Sequence, residues 1–99
     1  MTDIDDEKLK AESDRIKRDM AQREIDDIRF VMDSEQGRRI IWSLLEKGKV
    51  FAPCFAGDSH LTAFNEGQRN LALVLFQRVM AHCPDQYLKM AAEAGEDNV

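Results

Sequence analysis

The seven residues FNEGQRN, Phe64 to Asn70, gather hydrogen-bonding side chains immediately ahead of the apolar run LALVLF. On a helix Glu66 faces Arg69 and Asn70 at spacings of three and four, and Asn65 faces Arg69. A single carboxylate with no nucleophile and no second acid at a recognisable spacing does not make a reaction, so no enzymatic activity is expected. The set can instead satisfy itself locally, close to a helix start where free backbone amides need acceptors. Gly67 costs about 1 kcal/mol against alanine inside a helix, which predicts that something approaches closely there. The loop carrying Phe51 and Phe55 is the natural candidate. One reading of the patch is therefore a polar clasp fixing that loop to a central helix; the other is a recognition surface presented to another protein.

Cys54, His60, His82 and Cys83 raise the question of zinc. No C-x2-C or H-x3-H pair is present, and neighbours such as His82 and Cys83 point about 100° apart on a helix. No metal and no cofactor is expected. Cys83, before Pro84, reads as a small residue at a helix junction, and Cys54 as a small apolar residue in the pinned loop. Arg38 and Arg39 beside Trp42 could touch the phosphate and base of a single strand. The net charge of −5 argues against that, because a nucleic-acid grip needs a basic face that releases counterions. Trp42 then belongs to the edge of a core, with the arginines solvated or paired with Asp33 or Glu35.

The elements that position these residues are helical. The first 29 residues are more than half charged, with both signs interleaved and no proline or glycine. Acid-first pairs four apart, Asp6 with Lys10, Asp14 with Arg18 and Asp19 with Arg23, suit a helix. Its apolar residues Leu9, Ile16, Met20, Ile25 and Ile28 form only a thin, irregular stripe, short of three clean heptads. Two readings stand: a solvated helix, or one that completes its packing on a partner or another copy. Ile25, Ile28, Val31 and Met32 then share a buried side. Ser34 is placed to cap a second helix, EQGRRIIWSLLEK, whose Ile40, Ile41, Leu44 and Leu45 form one broad face, with Gly48 as terminator. A third helix, starting near Ser59 or Thr62 and ending near His82, repeats Phe64, Gly67, Leu71, Leu75 and Val79, with Ala72, Phe76 and Met80 widening the face. It is apolar on so many sides that it is expected at the centre of the domain. Pro84 opens a fourth helix that Gly95 should end.

The expectation is thus an all-α chain: a charged N-terminal helical extension over residues 1–21, a compact three- to four-helix domain over 22–94, and an acidic tail over 95–99. Ninety-nine residues with a third of them charged leave a small core. A folding unit of roughly 60 to 70 residues buries only about 60% of its unfolded surface, so a partner or an oligomer is expected on energetic grounds. The start MTDIDDEKLK has neither the cationic head nor the apolar run of a signal peptide, and no window reaches the roughly 18 to 20 apolar residues of a membrane span. No membrane contact is expected.

Gly37 and Arg38 with Trp42 and Leu45, then Val50 and Phe51, then Asn65, Glu66, Gly67, Arg69 and Asn70, and finally Pro84, Tyr87 and Met90 carry a resemblance. Across roughly residues 22–92 the chain resembles a family of small proteins of tailed bacteriophages, chiefly short-tailed ones, encoded among virion assembly genes. It departs from the family pattern in the proline and cysteine of APCF. The resemblance implies no enzymatic activity. It implies a virion-associated or assembly accessory that contacts capsid, portal or tail proteins in many copies, first in the host cytoplasm and then in the virion. The alternative is a small regulator that binds a host protein or nucleic acid during infection.

Overall fold

The computed structural model describes residues 2–51 and 57–97, and four helices account for nearly all of them: α1 (Thr2–Met32), α2 (Glu35–Lys47), α3 (Ser59–His82) and α4 (Pro84–Asp97). The principal extents are 66 × 37 × 16 Å and the radius of gyration is 19.1 Å. A compact chain of this length has a radius near about 13 Å. The excess comes from α1, whose 31 residues span about 46 Å at about 1.5 Å each. From Asp3 to Glu24 every side chain is exposed; only from Ile25 onward does α1 pack on the body.

Strong helix formers with no glycine or proline explain why the arm is helical, and Asp3 and Asp5 in its first turn complement the helix dipole. The expected ion pairs of Asp6, Asp14 and Asp19 are not formed among the described residues; Arg15 pairs with Glu12 instead, at 3.3 Å. These groups lie in water, where one pairing is worth little more than another.

The body is built around α2 and α3, each of which touches all three other helices. Its core comprises Ile28 and Met32 of α1, Ile41 and Leu45 of α2, Val50 in the turn that follows, Ala72 and Val79 of α3, Cys83 at the next junction and Met90 of α4. Trp42 stacks on Phe51 at 5.7 Å, Phe51 meets the edge of Phe76 at 5.9 Å, and Phe76 meets Tyr87 at 5.4 Å. This aromatic chain joins α2, the turn after it, α3 and α4. Phe51 is therefore held as expected even though half of it faces solvent.

The cap at Ser34 forms, its Oγ accepting from the Gly37 amide at 3.0 Å. A Cβ on Gly37 would overlap the Val31 carbonyl, so this glycine lets α2 start tightly against the end of α1. The cap of α3 is Asp58, which accepts from the amides of His60 and Leu61 at 2.8 and 3.1 Å.

Helix α2 ends where expected, with Gly48 as its C-cap; Gly48 itself keeps φ −78°, and the left-handed position falls one residue later, on Lys49, with φ 55°. Val50 N donates to Leu45 O and Lys49 N to Glu46 O, the two bonds of a Schellman motif, with buried Leu45 and Val50 as its apolar pair. Gly48 serves another purpose: a Cβ there would overlap the Ala72 methyl, so the missing side chain is what brings α2 down onto α3.

Three further expectations are corrected. Ile40 and Leu44 face solvent, so the buried face of α2 is narrower than its apolar residues. The helix α4 passes through Gly95 to Asp97; at an exposed position glycine weakens a helix without having to end it. Lastly, α3 is not a wholly enclosed hub. Its buried row is Asn65, Ala72 and Val79, spaced by sevens, while Phe64, Leu71, Val74 and Met80 are exposed.

Candidate interaction surface

The sites read from the sequence scatter when placed in the fold. Arg38 is buried, 5% exposed, and joins three helices: its Nε donates to Glu93 Oε1 of α4 at 2.5 Å and its Nη1 to the carbonyl of Met32, the last residue of α1, at 2.9 Å. The expectation that it is solvated or paired with Asp33 or Glu35 is thereby corrected; only Arg39 pairs with Glu35, at 3.4 Å. The reason is geometric. The end of α1 leaves carbonyls without helical partners, and a buried guanidinium with donors in several directions can fill one while a carboxylate balances its charge. Trp42 is half-buried and its indole N–H donates to Glu46. Tyr87 is half-buried against Phe76.

The patch from Asn65 to Asn70 is divided between buried and exposed positions. Asn65 is buried and Arg69 half-buried, whereas Glu66, Gly67 and Asn70 are exposed, and among the described residues no ion pair joins Glu66 to Arg69. A Cβ on Gly67 would meet nothing within 4 Å among the described residues, and most of the loop expected to approach it lies outside them. Phe55 and Cys54, the rest of the expected clasp, lie outside the described residues.

Cys83 is buried at the junction of α3 and α4, where burial pushes its thiol pKa up and nearby Arg29 offsets part of the rise. Among the described residues no group of three potential metal ligands comes together, and no helix is long and apolar enough to cross a membrane.

An apolar surface that the body leaves open lies between α2 and α3. A groove of about 470 Å³ is floored by Gly48 and Ala72, walled by Leu44, Leu71, Val74 and Leu75, and edged by Lys47, Arg78 and Glu24. Leu71 is 75% exposed, Val74 63% and Leu44 46%. The small pair Gly48 and Ala72 creates the hollow, and the Schellman turn after α2 keeps its rim in place. Arg78 donates from the groove edge to the Glu24 carbonyl at 2.7 Å, and Arg29 donates to the His82 carbonyl at 3.1 Å. These two bonds hold α1 alongside α3, running in the same direction, at the point where the arm leaves the body. Large apolar side chains collected around a concave surface with charges at its edge suit a protein contact.

Sequence reasoning misses Leu44, Leu71, Val74 and Gly48 as a surface, and it misses Arg78 and Glu93 as partners. A signal is present for the groove: α3 carries more apolar residues than one buried face can use. Periodicity alone places that surplus at the centre of the domain.

Residues 28–92 match the family model described as Bbp19-like phage protein. The match begins at Ile28, the first buried residue of α1, and ends just after buried Met90, so it covers the packed body and omits the arm. No curated protein and no solved structure matches.

Proposed function

The chain belongs to the Bbp19-like phage protein family, and from that membership we propose that it is a virion-associated or assembly accessory that works by binding rather than by catalysis. Its partners in this reading are phage capsid, portal or tail proteins, met in the host cytoplasm during assembly, and it acts in several copies. The observation that supports the reading is the groove of Leu44, Leu71, Val74 and Leu75. A body this small gains little by leaving Leu71 and Val74 in water. Covering them in a complex would return roughly 1.5 to 3 kcal/mol for each large apolar side chain fully buried. The groove is edged by both charge signs, which suits a partner chosen by apolar contact and oriented by its rim.

Quantitative mass spectrometry of purified particles and of assembly intermediates tests this. The chain should be present in at least one of them at a fixed ratio to a capsid, portal or tail protein. Absence from both, with recovery only on a host protein, would overturn the reading in favour of a regulator of the host.

A further inference from the structure

The arm of α1 carries a pattern that its own body does not use. Leu9, Ile16 and Met20 are all exposed, and at about 100° per residue they fall within roughly 40° of one another around the helix. Ile25, Ile28 and Met32, which dock α1 on the body, lie roughly 100° or more from the middle of that stripe by the same count. The stripe is thus presented to the outside and would be left uncovered by the isolated chain. Its flanks are sorted by charge. Lys10 and Lys17 run along one side, and Asp5, Glu12 and Asp19 along the other.

We propose that this arm pairs with the same arm of a second copy as a short, parallel, in-register coiled coil. Taking Leu9 and Ile16 as d positions and Ser13 and Met20 as a positions, the lysines fall at e and the acids at g. In a parallel pair each g residue faces the e residue five places on in the other helix. Asp5 then meets Lys10 of the second copy and Glu12 meets Lys17, each twice by symmetry. An antiparallel pair sets lysine flank against lysine flank and acid flank against acid flank, so the charge pattern selects one orientation. Asp19 against Glu24 is the like-charge exception, Asp6 and Ser13 place polar groups in the seam, and Arg23 at the next d position ends it. Two heptads with these flaws make a weak pair, formed where copies are concentrated. The inference deepens the multi-copy part of the reading above and rests on that reading only for its biological setting.

The test uses the full chain. Sedimentation equilibrium from about 1 µM to about 1 mM should show reversible dimerisation. The double variant Lys10→Glu/Lys17→Glu, and separately Asp5→Lys/Glu12→Lys, should each weaken self-association at least about tenfold. Mixing the two should restore dimers. Under mild oxidation Ser13→Cys should link the two copies through a disulfide at position 13, mapped by peptide mass spectrometry, whereas Ala21→Cys, off the seam, should not link them. None of these positions touches the body, so the body's thermal unfolding serves as a folding control. A monomer throughout the range, no recovery on mixing, or no disulfide at position 13 would overturn the pairing. A monomer found at fixed ratio in particles would sink this inference and leave the accessory reading intact; a dimer absent from particles and intermediates would do the reverse.

Discussion

Arg38 Nε lies 2.5 Å from Glu93 Oε1, with the Arg38 side chain 6% and the Glu93 side chain 23% exposed, and the same guanidinium donates to the last carbonyl of α1. One side chain therefore couples the ends of three helices. Removing it leaves a largely buried carboxylate and an unfilled carbonyl, and breaking a buried pair from one side costs about 3–5 kcal/mol. Arg38→Ala should lower stability to urea by about that amount, with Glu93→Gln costing less because the amide still accepts a hydrogen bond. Equal stability of wild type and Arg38→Ala would show that the pair does not join the helices.

Gly48 and Ala72 form the second junction. Gly48→Ala forces two methyl groups into the same space and should destabilise by about 1–3 kcal/mol, as overpacking does. Combining it with Ala72→Gly should recover part of the loss, because the two positions share one contact. A double-mutant cycle with no coupling would separate them.

Lys49 holds a positive φ without being glycine. Left-handed backbone costs an ordinary L-residue roughly 1–2 kcal/mol, and glycine returns some of that gain as unfolded-state entropy. Lys49→Gly should raise the thermal midpoint by a few degrees. Lys49→Val, β-branched at the same position, should lower it.

The buried Cys83 thiol has a pKa raised above its ordinary value by desolvation. The folded chain therefore holds this proton more tightly than the unfolded one. The contribution is fully present below the unfolded thiol pKa of about 8.5 and is lost as pH rises through the higher folded value. Unfolding free energy should decline on that alkaline side, and Cys83→Ala should flatten the decline. Alkylation of Cys83 in the native chain should stay slow near neutral pH.

Much of the fold was legible because its signals are local. Ser34 needed only a hydroxyl three residues ahead of Gly37, Pro84 only its preference for a first helical turn, and Ile25, Ile28, Val31 and Met32 only helical spacing. What depends on two distant segments was not legible. Arg38 and Glu93 stand 55 positions apart and nothing local pairs them. Gly48 reads as a terminator and is one, but nothing local reveals its second role against Ala72. The surplus of apolar residues on α3 was visible, but periodicity alone does not say whether the second face of a helix meets its own core or a partner. Hence Leu71 reads as a core residue and stands in water.

The most direct test of the groove as the working surface is incorporation of Leu71→Gln/Val74→Gln into phage particles or assembly intermediates, measured against wild type alongside thermal unfolding of the purified chains. Both residues are exposed and glutamine is a good helix former, so stability should stay within about 0.5 kcal/mol of wild type while incorporation falls sharply. Undiminished incorporation with a folded chain would contradict the account.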